Sequence, residues 1–329
     1  GIGKRLERPV EKMELLSSIL KNLPDAAALG LVWGIMAIGV YITFKILDIP
    51  DMTVDGTFAL GGCMVAAMVS AGGDPFISTL LAVICGMAAG MVTGILHTKL
   101  KIPAILAGIL TMLALYSVNL MIMGGKSNIG LSQFGEQKVD TLLDKISQLF
   151  GMDADTANVI LGVIIAIAII AVLYWFFGTE LGSLIRATGI NENMVRAQGG
   201  NTDVMKIIGL VVSNGFVAFS GALVAQIQRY GDVGMGTGTI VIGLASIIIG
   251  EVLLGKKGSF KVRLISVFLG SILYRVIIAI VLLLGFNPNN LKLLTALLVI
   301  AALSIPVARE YAGEKNKMRA NLKKYEEVE

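Results

Sequence analysis

These 329 residues specify an all-α, polytopic membrane protein, and three observations carry that prediction. Hydrophobic residues make up 55% of the chain and charged residues 15%, with a mean hydropathy of +0.81. Soluble domains carry roughly 25% charged residues, so this chain has too little charge to cover its apolar surface in water. Uncharged apolar runs long enough to cross a bilayer recur along the sequence. Basic residues collect in the short segments between those runs, as topology-setting charges do.

In chain order, Met13–Leu23 spaces its apolar residues like a short interfacial helix. Residues 1–25 therefore form an N-terminal segment, 26–307 the membrane domain and 308–329 a basic tail. The runs are Ala26–Phe44, Phe76–Leu96, Ile102–Met123, Ala157–Phe177, Ile207–Gln228, Leu264–Phe286 and Leu291–Val307, with shorter ones at Thr57–Ala71 and Thr239–Leu254. Five basic groups are expected on the cytoplasmic side. They are Lys4 to Lys21, Lys99 with Lys101, Arg186 to Lys206, Lys256 to Arg263, and the tail from Arg309 to Lys324. Asp48, Asp51, Asp55, the loop Gly124–Thr156 and the segment around Asp232 are expected outside.

Nine full spans cannot leave both termini on one side. A re-entrant Thr57–Ala71 reconciles the charges with eight crossings; a short tilted span gives up to ten. Non-helical backbone at membrane depth survives only beside protein or water, so the segment DMTVDGTFALGG is a path-lining candidate. A long run, an Asp- and Gly-bearing outer loop and a short run occur twice, at residues 26–71 and 207–254. Matching short, Gly-interrupted segments point to a translocation path. Gly86, Gly90 and Gly94 share a helix face, as do Gly30 and Gly34, for close packing inside the chain or at a dimer seam.

Several chemistries are excluded. One histidine and two cysteines cannot build a zinc or iron–sulfur centre, and no cofactor is expected. Aromatics at 6% and the scattered charge argue against nucleic acid. Gly250-Glu-Val-Leu-Leu-Gly255-Lys256-Lys257 approaches a phosphate-loop pattern, but lysine stands where Ser or Thr must hold magnesium. No acid, base and nucleophile converge in the pattern.

Ionisable groups at membrane depth are functional candidates by default. Glu251 is an ion-pair or interface position, and Arg275, at mid-span, needs a partner for which Glu251 is available. Asp55 either orients a solute amino group or caps the helix it opens. Thr53, Thr57, Asn119, Asn214, Gln226 and Ser246 are small polar residues suited, with Asp55, to lining a path from which the solute must also leave.

The polar segment Thr179–Lys206 is longer than a connector requires. It reads as a helix, a turn at Gly189 and Asn191, a second helix, then Gly199-Gly200-Asn201. The run Gly182-x-x-x-Arg186-Ala187-x-Gly189-x-Asn191 with Ala197-x-Gly199-Gly200-Asn201 resembles the coupling segment of ABC importer permeases of the branched-chain amino acid, ribose and nucleoside family. Asp51-Met-Thr-Val-Asp55-Gly56 resembles the family's "D-L-S-V-G" turn, and Lys101-Ile-Pro103-Ala-Ile-Leu-Ala its "IPPFIATLG" span start. Ser220-Gly-Ala-Leu and the Gly-rich Gly231–Gly238 are similar to its later half. The Thr-Val-Asp-Gly form resembles a subgroup tied to tryptophan or other amino acid uptake.

The resemblance implies a transport subunit without its own ATPase, in a cell membrane, with both termini cytoplasmic. It implies a homodimer, two ATP-binding subunits docked on Arg186, Ala187, Gly189, Asn191, Asn193, Arg196, Gly199, Gly200 and Asn201, and an extracytoplasmic binding protein or lipoprotein. The implied solute is small and polar, most simply an amino acid, aromatic ones included. A sugar or nucleoside importer and an ion-coupled transporter are the alternatives.

Overall fold

The computed structural model describes residues 3–131, 141, 144, 154–254, 258–284, 290, 293–301 and 304, without the side chains of residues 3–21, 154 and 155. Ten helices and one small β-ribbon have defined bounds there. They are α1 (Gly3–Tyr41), α2 (Thr53–Ser70), α3 (Pro75–Thr98), α4 (Ala104–Ile122), β1 (Asn128–Gly130), α5 (Ala154–Phe176), α6 (Glu180–Ile190), α7 (Glu192–Ala197), α8 (Thr202–Gln228), β2 (Tyr230–Asp232), α9 (Thr239–Leu254) and α10 (Phe260–Leu283). Among the described residues, seven segments are long and apolar enough to cross a membrane, and α9 is a shorter apolar helix. The all-α architecture expected from composition is therefore the one formed. The expected run Leu291–Val307 is helical at 293–301 and otherwise lies largely outside the described residues.

Local sequence sets the helix boundaries. Asp74 accepts from the backbone N–H groups of Phe76 (2.8 Å) and Ile77 (3.3 Å), with Pro75 at the first helical position of α3. Thr179, Asn191 and Asn201 cap α6, α7 and α8 in the same way. α1 ends in a π-helical turn, Ile42–Ile46, and the chain then runs without regular secondary structure to Met52, with Asp48 at φ +55°.

The core is built around α8, the helix with the broadest packing. Gly86, Gly90 and Gly94 of α3 lie against Asn214, Leu210 and Ile207, so close that a Cβ at Gly90 would strike the Leu210 carbonyl. Gly30 and Gly34 of α1 lie against Ile272 and Phe268 of α10. Both glycine stripes thus serve packing within the chain.

The same contacts fix the direction of α1. The Val32 carbonyl accepts from Ser220 Oγ (2.8 Å), the Gly39 carbonyl accepts from Ser213 Oγ (2.7 Å), and Leu47 sits on Gly209. As the α1 number rises the α8 number falls, so the two helices are antiparallel, as α1 and α10 are. The last turn of α1 therefore reaches the end of the bundle where α6 and α7 lie, and Gly189 rests on the Ile46 carbonyl. The Asn22 end of this span points to the opposite face. This corrects the expectation that the residues leading into the first span share a side with the Arg186–Lys206 segment. It also removes the parity conflict, because an odd number of spans then fits the remaining basic groups. Lys101 reaches Asp203 (3.8 Å), Arg186 lies over Phe260 (5.3 Å) and Lys261 over Tyr174 (4.3 Å), all at the α6–α7 end.

Of the two forms expected for Thr57–Ala71, the short helix is the one formed. α2 does not return to its side of entry. It starts beside Asn214, twelve residues or about 18 Å along α8 from Thr202 at 1.5 Å per residue. It runs to the far end, where Ala66 meets Gly231. There β1 and β2 pair antiparallel, Asn128 with Asp232 and Gly130 with Tyr230. Arg229 grips Asp144 through both carboxylate oxygens, at 2.7 and 2.8 Å. Most of the loop 124–156 lies outside the described residues.

Candidate functional site

Two places gather the residues singled out in the sequence. The first is the break between α1 and α2. Asp51 is 1% exposed; its Oδ1 accepts from Thr53 N (2.9 Å) and its Oδ2 from Asn214 Nδ2 (2.8 Å). Asn214 Oδ1 accepts from the Thr57 hydroxyl (2.8 Å). Thr53 Oγ1 meets Thr93 Oγ1 (2.7 Å), which donates to Thr111 Oγ1 (2.9 Å). These polar groups satisfy one another in a closed network across α2, α3, α4 and α8, which pins the non-helical backbone between α1 and α2. Thr53, Thr57 and Asn214 are thus held inside the wall. Asp51, expected in an outer loop, is buried with them, and Thr93 and Thr111 belong there too and were missed, because they read as ordinary span residues.

Asp55 and Asn119 do line open space. With Gly56, Met112, Leu113, Tyr116, Val233 and Thr237 they enclose a cleft of about 210 Å³. Asp55 is a helix cap, although for a helix other than its own. Its Oδ1 accepts from Ile240 N (3.0 Å) and the Thr239 hydroxyl (2.9 Å), and its Oδ2 from Gly238 N (2.8 Å), at the start of α9. The two copies of the internal repeat therefore meet here, the acid of the first capping the short helix of the second. Asn119 is 1% exposed, donates to the Gly56 carbonyl (3.4 Å), and keeps a buried Oδ1 without a partner.

The other expected path residues lie elsewhere. Gln226 donates to Thr79 Oγ1 (2.9 Å) and Ser246 to the Ile242 carbonyl (2.8 Å), both buried. Glu251 pairs with Lys45 (3.1 Å) and not with Arg275. Arg275 stacks on the Trp33 ring at 3.9 Å, with its Nε and the Trp33 Nε1 both unpaired.

The second place is the end face formed by α6, α7 and the start of α8. Gly182 and Gly189 give α6 its close seat. A Cβ at Gly182 would strike the Phe176 carbonyl, and one at Gly189 the Ile46 carbonyl. Asn191 Oδ1 accepts from Met194 N (3.0 Å) and Asn201 Oδ1 from Val204 N (3.2 Å). Gly199 takes φ +83°, the left-handed turn after α7 that glycine adopts freely.

An ionic clasp closes the segment. Glu192 bonds Arg196 (2.6 Å), Lys206 (2.8 Å) and the Thr202 hydroxyl (3.1 Å), and Arg196 also reaches Asp203 (3.3 Å). The Lys206 hydrogen bond chiefly holds the Glu192 carboxyl below its ordinary range. The motif residues Gly182, Gly189, Asn191, Gly199, Gly200 and Asn201 thus shape the segment. What it shows to its surroundings is Ile190, 84% exposed, with Met194, Asn193 and Arg196. Ile190 and Met194 were missed, although their place at the tips of two short amphipathic helices is readable in the sequence. Ala187 is half-buried, and Arg186 lies over Phe260.

Among the described residues no cluster of His, Cys, Asp and Glu forms a metal site. Residues 22–303 match the family described as "Branched-chain amino acid transport system / permease component". The chain is 42% identical over 274 residues to a "Tyrosine transport system permease protein" of Clostridioides difficile, covering 83% of this chain and 88% of that one. It is 32% identical over 272 residues to "Uncharacterized protein RP368" of Rickettsia prowazekii, covering 82% and 92%. It is 26% identical over 268 residues to "Ribose import permease protein RbsC" of Escherichia coli K12, covering 79% and 74%. No solved structure matches the chain. A bundle of membrane-length helices with a rigid pair of short helices across one end, matched along most of its length, makes this chain a multi-pass permease subunit of the branched-chain amino acid and ribose type of ABC importer.

Proposed function

We propose that this permease carries an amino acid, tyrosine or a close relative, into the cytoplasm at the expense of ATP hydrolysed by a separate subunit. One observation supports this reading most strongly. α6 and α7 are short, capped and clasped, and they present exposed apolar Ile190 and Met194 where a transmitted push needs a rigid lever. An ATP-binding subunit docks there, two copies serving a homodimer, and an extracytoplasmic binding protein delivers the solute to the β1–β2 face. The basic groups at the α6–α7 end support placing that end in the cytoplasm. The span that starts at Asn22 then begins outside, and the 308–329 tail follows inside.

The tyrosine relative supports an amino acid over a sugar; the ribose relative keeps a sugar as the second reading. Uptake of radiolabelled L-tyrosine and of D-ribose by proteoliposomes holding the permease, its cognate ATPase and binding protein decides between them. ATP-dependent L-tyrosine uptake is the expected result. Ribose uptake in its place, or uptake driven by an ion gradient without ATP, overturns the proposal.

A further inference from the structure

We infer that the cleft between α2, α4 and the turn before α9 is a way station that takes the ammonium group of the solute, with Asn119 Oδ1 and the Asp55 carboxylate as its acceptors. The inference rests on the importer reading and adds which end of the solute is held and by which atoms. Asn119 is fixed in orientation, because the Gly56 carbonyl can accept only from the amide nitrogen, at 3.4 Å. The amide oxygen is then buried with no partner, on a residue that lines an open cleft. Buried acceptors are ordinarily satisfied, and one that is not marks a place where something else supplies the donor.

Asp55 adds a negative charge on the same wall. Its Oδ1 takes two donors, whereas Oδ2 takes only Gly238 N, which leaves Oδ2 a lone pair to offer. No basic residue lines the cleft, so nothing there favours a carboxylate or phosphate. Met112, Leu113 and Val233 make most of the remaining wall apolar, and Tyr116 adds an aromatic ring to the lining, a group suited to a cation. A primary ammonium has three donors and no acceptor, which is the complement of this site. A sugar ring brings several acceptors as well, and for those the cleft has only the Thr237 and Tyr116 hydroxyls among its side-chain O–H donors. The volume, about 210 Å³, suits an amino group with the first part of an apolar side chain.

The test is protection of a thiol in the cleft. In a Cys63→Ala, Cys85→Ala background, Leu113→Cys is reacted with a neutral methanethiosulfonate in proteoliposomes. The additions are millimolar L-tyrosine, tyramine, the deaminated analogue of tyrosine, or D-ribose. L-Tyrosine and tyramine, which carry the ammonium, are expected to slow labelling at least threefold, and the other two to leave it unchanged. Asn119→Leu is expected to abolish the protection, and Asn119→Asp to keep it.

Equal protection by the deaminated analogue, protection that survives Asn119→Leu, or no labelling of the ligand-free protein overturns the assignment. ATP-driven L-tyrosine uptake is measured in the same vesicles with the partner subunits. Uptake without protection sinks the cleft alone, and protection without uptake sinks the importer reading alone.

Discussion

Asn214 ties α8 to α2 and to the α1–α2 break through one side-chain amide: it donates to Asp51, accepts from Thr57, and is fully buried. Asn214→Leu leaves the buried Asp51 Oδ2 without its amide donor, while Thr57 keeps its bond to the Thr53 carbonyl. Each unsatisfied group costs about 1–3 kcal/mol, more for a charged one, so a loss of roughly 3 kcal/mol is expected. Thermal unfolding in detergent should show it as a fall of several degrees in Tm. Gln226→Leu removes the neutral hydrogen bond to Thr79 and should cost about 1 kcal/mol. If the two variants unfold together, the network does not pin the α1–α2 break. The sequence announced Thr57 and Asn214 as polar residues out of place in apolar runs. It did not announce that they meet, since 157 positions separate them and only the fold closes that distance.

The helix boundaries at the α6–α7 end were readable because caps are local chemistry: Thr179, Asn191 and Asn201 each sit one residue ahead of a helix. The roles of the motif residues were less readable. Gly189 looks like a docking residue until the Ile46 carbonyl is seen against it. Gly189→Val should therefore lift α6 off the end of α1 and lower ATPase association at least tenfold in co-purification, whereas Asn193→Ala, on an exposed side chain, should leave the fold intact. The Glu192 clasp carries a pH signature. Its carboxyl is held below the ordinary range, first by the Lys206 hydrogen bond and then by the Lys206 charge, the Thr202 hydrogen bond and the Arg196 charge. A depressed carboxylate contributes stability above its unfolded value, and that stability is lost as pH falls through the folded value. Fluorescence of a Met194→Trp reporter should therefore hold steady down through the usual glutamate range and change only below it. In Glu192→Gln the acid transition should vanish. A transition at the ordinary glutamate value would mean the clasp is not formed in solution.

The assembly turns on orientation, and here the sequence misled in an instructive way. Composition and run length gave the membrane class and nearly every span. Charge counting placed the first basic group with the other four, because hydropathy reports that a run crosses and not in which direction. Packing supplies the direction, through Val32 with Ser220 and Gly39 with Ser213. The short α2 was visible as a short run, and its start deep in the bundle was not, since that depends on Asp51 finding Asn214. In sealed vesicles of known sidedness, Asn22→Cys should be labelled by a membrane-impermeant thiol reagent from outside and Asn193→Cys from inside. Labelling of both from one side would contradict the packing. The most direct measurement of the account is ATP hydrolysis by the permease reconstituted with its cognate ATP-binding subunit, with and without binding protein, in wild type beside Ile190→Asp. Hydrolysis stimulated by loaded binding protein is expected in the wild type, and loss of both stimulation and association in Ile190→Asp, a variant that folds normally. Full stimulation in Ile190→Asp, or no association of the wild type with a verified cognate subunit, would contradict it.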